Sequence, residues 1–196
     1  MQSAAFGADR ADELLGALGE QLAALGQRFV LVVIGGSALL ALGLVQRATR
    51  DVDVLAIAAA EGLVPADPLP PALAQARDLV AQDFGLPADW LNPGPSDLLR
   101  LGLPEGFLSR VETRGYGAAL TVRYAGRLDQ IHFKLYAMVD QGAGRHETDL
   151  RTLQPTAEEL GRAARWTRTH DPSEGFRQEL EAVLAHLGVA DADLDA

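Results

Sequence analysis

A continuous apolar run, FVLVVIGG at residues 29–36, ends abruptly in two glycines. The run is short and rich in β-branched residues, which favours a buried strand over a helix. The segment that follows, SALLALGLV at residues 37–45, is typical of a helix entered directly from that strand. A second apolar strand is predicted from Val52 to Ile57. The sequence therefore predicts two buried strands between residues 29 and 57, joined by a helix and a turn.

Two aspartates stand at the start of the second predicted strand. Asp51 and Asp53 flank Val52, so both carboxylates project from one face of that strand. Paired carboxylates can hold a divalent cation, which neutralises a triphosphate during phosphoryl transfer. Without a cation the two charges would repel each other, so their place beside an apolar strand is costly. We therefore predict Asp51 and Asp53 as Mg²⁺ ligands and as catalytic residues.

Gly35, Gly36 and Ser37 stand where the first strand turns into the helix. Glycine lets the backbone approach a phosphate closely, and backbone N–H groups and the Ser37 hydroxyl can donate to phosphate oxygens. The segment is neither a Walker A loop nor a G-x-G-x-x-G fingerprint. Taken alone, two glycines after a strand more often form a simple tight turn, and a lone D-x-D pair is more often a solvated strand end. The two features in this order are more specific, and they predict a phosphate-binding turn next to a metal-binding pair.

The spacing of these motifs resembles a known signature. Gly36 and Ser37, thirteen intervening residues and then D-V-D-V at 51–54 are similar to the signature of the DNA polymerase β-type nucleotidyltransferase superfamily. The longer string IGGSALLALGLVQRATRDVDV resembles bacterial nucleotidyltransferase-like groups that include the AbiEii-type toxins, which share its R-x-T-x-D-x-D spelling. The resemblance implies that Arg47 and Thr49 lie near the phosphates or brace the loop, and that Gly35, Gly36 and Ser37 bind the nucleotide.

The resemblance also implies a fold and a further basic residue. The expected fold is α+β (or α/β): a short mixed sheet with flanking helices, followed by C-terminal helices. Lys134 and the later H-x-x-D-L stretch, which contains His146 and Asp149, are reminiscent of the same groups. Lys134 is the only lysine of the chain and stands in an otherwise apolar stretch. A helix-surface lysine is the alternative, but a compact ammonium can approach a triphosphate where a guanidinium does not fit, so Lys134 is predicted as a catalytic residue.

Active members of the resembled superfamily carry a third carboxylate on a neighbouring strand. The corresponding strand is predicted at residues 119–124, ALTVRY, which contains no acid and has Arg123 in its place. Asp97, Glu112 and Asp129 are possible substitutes, although Asp129 is better interpreted as a helix N-cap.

The rest of the chain predicts mainly helices. These are expected at residues 9–26, 70–85, 97–101, 128–142, 146–153, 155–170 and 173–188, with a proline-rich loop at 61–71 and a strand around 120–124. Thr156 and Glu159 have the spacing of a capping box. We expect a nucleotidyltransferase-like domain at residues 1–150 and a helical segment with an acidic tail, packed on that domain, at 151–196.

Charge and composition exclude several classes of protein. The formal net charge of −10 argues against duplex DNA as a partner, because such binding needs a basic surface. The absence of cysteine excludes disulfides and cysteine-bound zinc. No segment resembles a secretory signal or a membrane span, so the expected location is the cytoplasm.

These observations predict a Mg²⁺-dependent protein that transfers a nucleotidyl group from an NTP to a hydroxyl acceptor. The acceptor could be a protein side chain, a tRNA end or a small molecule. Two alternatives stay open at this point: an inactive nucleotide-binding module, and the toxin of a toxin–antitoxin pair, which would have an antitoxin as its partner.

Overall fold

The computed structural model describes residues 5–189 and 194. It has the predicted α+β class, and it divides into two compact units. The first unit comprises Met1–Leu103 and Leu108–Ala125, and the second comprises Pro104–Phe107 and Gly126–Ala196. The sequence placed a boundary after residue 150, whereas the units divide after Ala125, so the helices between these points belong with the C-terminal ones.

The first unit contains a mixed sheet and four helices among its described residues. In chain order its elements are α1 (Ala8–Ala24), β1 (Phe29–Ile34), α2 (Gly35–Ala41), β2 (Val52–Ala59), β3 (Gly62–Pro65), α3 (Pro71–Phe84), β4 (Leu91–Asn92), α4 (Asp97–Leu101), β5 (Glu112–Tyr116) and β6 (Leu120–Tyr124). The strands run in the order β3-β2-β1-β6-β5, and β4 pairs with β2 outside this path. The β1–β6 and β2–β4 pairs are parallel, and the other pairs are antiparallel.

One face of the sheet carries the hydrophobic core of this unit. Apolar side chains from alternate positions of β1, β2 and β6 pack with α1 and α3; the strand residues include Leu31, Val33, Val54 and Val122, and Leu73 is one of the helix residues. Val52 belongs to this core and is fully buried. Because side chains alternate along a strand, Asp51 and Asp53 point to the opposite face.

Helix α1 approaches the sheet closely at one glycine. A Cβ atom at Gly19 would lie 2.2 Å from the backbone oxygen of Tyr116 on β5. Because that oxygen belongs to the backbone, no side-chain rotation can relieve the contact. At Gly16, one turn earlier in the same helix, a Cβ would meet no neighbouring atom of the described residues within 4 Å. The two glycines therefore have opposite structural roles.

We expect Gly16→Ala to raise the free energy of unfolding by about 0.5–1 kcal/mol, because alanine favours the helix. Gly19→Ala makes the same change in helix propensity, but we expect it to lower the free energy of unfolding by about 1–3 kcal/mol, because the methyl group pushes α1 off the sheet. Urea denaturation of both variants measures the difference. Equal effects of the two substitutions would contradict the close packing of α1 on β5.

A hydrogen-bonded group of polar side chains joins α1 to the hairpin of β5 and β6. The Tyr116 hydroxyl donates to Asp12 Oδ1 at 2.6 Å and lies 2.6 Å from the Tyr124 hydroxyl. Burial, together with the hydrogen bond to Asp12, raises the pKa of Tyr116 to about 12. Burial and the Tyr116 hydroxyl also raise the pKa of Tyr124 above its ordinary value. Both tyrosines are thus held in their neutral form.

Because of this group, the free energy of unfolding decreases as the pH becomes alkaline. A phenol whose pKa is higher in the folded chain contributes stability that is complete below the unfolded pKa of about 10. That contribution is lost as the pH rises to the folded value of about 12. We expect the wild type to lose up to about 1.4 kcal/mol per pH unit through this window from Tyr116. Tyr116→Phe, measured by urea denaturation at pH 9, 10 and 11, should show a shallower slope, and a parallel slope would contradict the assignment.

The structure corrects several predicted elements. The proline-rich segment 61–71 was predicted as a loop, but Gly62–Pro65 forms β3. Strand β5 at Glu112–Tyr116 was not predicted. Helix α2 ends at Ala41, earlier than its pattern indicated. The N-cap interpretation of Asp129 is wrong, because Gly126 holds that position and Asp129 lies in the first helical turn with no exposed surface.

The second unit is helical. It contains α5 (Arg127–Gln141), α6 (Gly144–Thr152), α7 (Ala157–Arg168) and α8 (Glu174–His186). The predicted capping box is confirmed, since the Thr156 side chain accepts from the Glu159 N–H and the Glu159 side chain accepts from the Thr156 N–H. Arg127 joins the start of α5 to this cap through hydrogen bonds to Glu159 and to the Leu153 carbonyl. Apart from Leu194, the predicted acidic tail lies outside the described residues.

Candidate functional site

The turn from β1 into α2 lies directly against the second aspartate of the D-x-D pair. Gly35 has a φ of +72°, a conformation that glycine adopts without strain. A Cβ atom at this position would lie 2.3 Å from Asp53 Oδ2. In the antiparallel register of β1 and β2, Ile34 stands opposite Asp53, which explains this proximity. Glycine is therefore required at residue 35 both by the backbone conformation and by the adjacent carboxylate.

The next glycine lies against the R-x-T part of the motif. A Cβ atom at Gly36 would lie 2.7 Å from Thr49 Oγ1 and 3.5 Å from Arg47 Nη2. The backbone of Thr49 is fixed by two hydrogen bonds with Phe6, and its hydroxyl donates at 3.3 Å to the Asp51 carbonyl. The same hydroxyl lies 3.4 Å from Asp51 Oδ1. Thr49 thus connects the glycine turn to the first aspartate.

Ser37 adds a buried hydroxyl to this turn. It is 2% exposed, and its Oγ atom has no hydrogen-bond partner among the described residues. A buried hydroxyl without a partner loses its hydration without compensation, which costs free energy. A polar ligand at the turn would supply the missing partner.

Asn92 belongs to the same group of side chains, although the sequence did not indicate it. It lies on β4, directly opposite Asp53 in the parallel register of β2 and β4. Its Nδ2 atom donates to Asp53 Oδ1 at 2.8 Å. The sequence contains no motif at this position, and the only signal is that residues 91–92 precede a turn-rich stretch, PGPS.

The expected third carboxylate does not join the two aspartates. Among residues 5–189 and 194, no group of three or more His, Cys, Asp or Glu side chains is arranged to hold a metal ion. The predicted strand at 119–124 corresponds to β6, but β1 lies between β6 and β2, and Arg123 stands opposite Val32 of β1. The proposed substitutes are also elsewhere: Glu112 is exposed on the edge strand β5, and Asp97 is exposed beside Arg100.

Lys134 lies in the second unit, on α5. Its ammonium forms an ion pair of 2.7 Å with Asp149 Oδ2 on α6, and the two side chains are 6% and 1% exposed. The alternative of a helix-surface lysine is therefore wrong, because Lys134 is buried in an ion pair. His146, from the same H-x-x-D-L stretch, is half-buried on α6.

The structure thus gathers most of the predicted site residues in the first unit. These residues, which we call the glycine–aspartate site, are Gly35, Gly36, Ser37, Arg47, Thr49, Asp51 and Asp53, together with Asn92. Two carboxylates on one sheet face offer the oxygen ligands that Mg²⁺ prefers. The two glycines are buried against the side chains of Asp53 and Thr49, so the turn brings the Ser37 hydroxyl and the Arg47 guanidinium close to the carboxylates, and this set of groups fits a cation and a phosphate group.

Comparisons with known proteins give no family for this chain: no protein-family model, curated protein or solved structure matches it. The resemblance in the motif is therefore a hypothesis that depends on the residues themselves. Within the part of the chain that the structure describes, no helix combines the length and apolar character needed to cross a bilayer.

Proposed function

We propose that the first unit binds an NTP with Mg²⁺ and transfers its nucleotidyl group to a hydroxyl acceptor. The observation that supports this proposal is the contact between the glycine turn and the carboxylate of Asp53. A triphosphate bound at the turn would lie next to a cation held by Asp51 and Asp53. This arrangement is what phosphoryl transfer requires, since it depends mainly on positioning and charge neutralisation.

In the proposed reaction the acceptor oxygen attacks the α-phosphorus of the NTP. A new P–O bond forms to the acceptor, the bond to the bridging oxygen of the β-phosphate breaks, and pyrophosphate leaves with that electron pair. The hydroxyl proton passes to solvent. Mg²⁺ supplies neutralisation of the phosphate charge when it is bound.

The other residues of the glycine–aspartate site have supporting roles in this proposal. The Ser37 hydroxyl, which has no partner among the described residues, donates to a phosphate oxygen. Thr49 keeps the turn next to Asp51, and Arg47 contributes positive charge beside Gly36.

The proposal is tested by incubating the protein with α-labelled NTPs and Mg²⁺ and measuring both binding and label transfer. Wild type should bind nucleotide only with Mg²⁺, and Asp53→Ala should lose this binding. Asp83→Ala is the matched control, because it removes an exposed aspartate from α3 of the same unit. If wild type shows no metal-dependent NTP binding, the proposal is wrong.

A second candidate is a nucleotide-binding module without transferase activity. It is favoured by the lack of a third carboxylate near Asp51 and Asp53 in the described residues, because that group would activate the acceptor hydroxyl. This candidate predicts thermal stabilisation by NTP and Mg²⁺, no label transfer and no pyrophosphate release. The labelling experiment separates the two candidates, since both require binding and only the first requires turnover.

A further inference from the structure

Asn92 lies beside Asp53 in the sheet, where its side chain can orient the Asp53 carboxylate. Strand β4 is only two residues long, and it pairs in parallel with the beginning of β2, Leu91 with Val52 and Asn92 with Asp53. Residues that pair across neighbouring strands point to the same face of a sheet. The side chain of Asn92 is therefore the immediate neighbour of the Asp53 carboxylate on the face where the D-x-D pair lies.

Both ends of the Asn92 amide are used. Its Nδ2 atom donates to Asp53 Oδ1 at 2.8 Å, and its Oδ1 atom accepts the Gly94 backbone N–H at 2.9 Å. The Gly94 contact needs an acceptor, so it determines which end of the amide faces Asp53. The amide therefore presents a donor, and only a donor, to the carboxylate.

The position of β4 is fixed by its surroundings. Trp90, immediately before the strand, is fully buried and donates through its indole N–H to the Arg77 carbonyl at 3.1 Å. Ser96, just after it, is 2% exposed and accepts the Ala66 N–H at 3.0 Å. Asn92 is thus held between two buried anchors, which limits its freedom to move away from Asp53.

We propose that Asn92 is a positioning residue for the cation site: its amide fixes the Asp53 carboxylate, with Oδ1 held by the amide and Oδ2 turned towards Gly35. In addition, Asn92 gives a neutral side chain to the sheet position where a carboxylate would make a third metal ligand. This inference rests on the proposed function, since it concerns the Mg²⁺ that Asp51 and Asp53 are proposed to hold.

Two substitutions at Asn92 are expected to act in opposite directions. Asn92→Ala removes the donor from Asp53 Oδ1, and loss of a partner that orients a metal ligand weakens metal binding by about 10–100-fold. Asn92→Asp keeps the shape and the acceptor for Gly94 but places a third carboxylate beside Asp53. Without a cation these charges repel and lower the melting temperature, whereas a divalent cation relieves the repulsion and binds more tightly.

The experiment measures Mn²⁺ binding by electron paramagnetic resonance and Mg²⁺ binding by calorimetry, both without nucleotide, together with the melting temperature with and without the cation. The proteins are wild type, Asn92→Ala, Asn92→Asp, Asp53→Asn and the control Asp83→Asn, whose aspartate is exposed on α3. We expect Asn92→Asp to have the lowest melting temperature without cation, the largest increase on adding it and at least tenfold tighter binding than wild type. Asn92→Ala should bind more weakly than wild type, and Asp83→Asn should match it.

The possible failures point to different conclusions. If wild type and Asp53→Asn both fail to bind a cation, the proposed function is wrong and the role of Asn92 is rejected with it. If wild type binds, Asp53→Asn does not, and both Asn92 variants bind as wild type does, the role of Asn92 is overturned while the proposed function stands. A loss of melting temperature in both Asn92 variants that the cation does not change would show that Asn92 has a purely structural role, and it would also overturn the inference.

Discussion

Replacing Lys134 by methionine is expected to lower the free energy of unfolding by about 3–5 kcal/mol, because it removes one partner of a buried ion pair. The Asp149 carboxylate is 1% exposed, so water cannot replace the ammonium that now lies 2.7 Å from it. Methionine has nearly the volume of lysine, so the loss reflects charge rather than packing. Urea denaturation at neutral pH measures the effect.

A double-mutant cycle separates this charge effect from other consequences of the substitution. Lys134→Met with Asp149→Leu removes both charges, and we expect it to be more stable than Lys134→Met alone, as found when a buried pair is replaced by apolar groups. Arg162→Met is the matched control on the surface, where the Arg162–Glu158 pair is 3.8 Å long and largely exposed. That control should change stability by less than about 1 kcal/mol. A Lys134→Met effect as small as the control would contradict the buried pair.

Gly35→Ala is expected to damage both stability and the proposed nucleotide binding. Alanine at a φ of +72° is strained, which lowers the free energy of unfolding by about 1–3 kcal/mol. Its methyl group would also lie 2.3 Å from Asp53 Oδ2, so the carboxylate must move away from the turn. We therefore expect Mg²⁺-dependent NTP binding to be lost in addition to the loss of stability.

Gly43 provides the control for this substitution. It has a φ of +68°, and a Cβ there would meet no neighbouring atom of the described chain within 4 Å. Gly43→Ala therefore has the backbone strain without the contact to a carboxylate. Calorimetric titration with NTP and Mg²⁺ should show binding by Gly43→Ala and none by Gly35→Ala. Equal nucleotide affinity in the two variants would mean that Gly35 and Asp53 do not form the binding site.

The sequence predicted the elements whose patterns are local and strong. The apolar run at 29–34, the strand beginning at Val52 and the capping box of α7 are all present, since each depends on neighbouring residues. Strand β3 was missed because Pro65 and the prolines after it are typical of a loop, and the strand forms only by pairing with the end of β2. Strand β5 was missed because most of its residues, such as Glu112, are polar and exposed. Its sequence therefore lacks the alternation of apolar and polar residues that predicts a strand, and the strand forms by pairing with β6.

In the candidate site, too, residues defined by local patterns were predicted, and those placed by long-range strand pairing were not. The turn at Gly35 and the pair Asp51 and Asp53 could be found because they lie on consecutive strands joined by one helix. Asn92 could not, since its place beside Asp53 depends on pairing between strands 39 residues apart. The third carboxylate was sought on the strand at 119–124, which contains no acid, and the sequence does not reveal that β1 separates this strand from β2.

The place of β6 in the sheet also affects how the chain folds during synthesis. Strand β1 has β2 on one side and β6 on the other, but β6 is at Leu120–Tyr124 and follows β2 by about half of the first unit's length. In a nascent chain that ends near Leu103, β6 is absent, so the backbone groups on one edge of the apolar strand Phe29–Ile34 lack their partners. Such edges promote association between chains. The first unit should accordingly be prone to aggregation until the β5–β6 hairpin has left the ribosome and covers this edge.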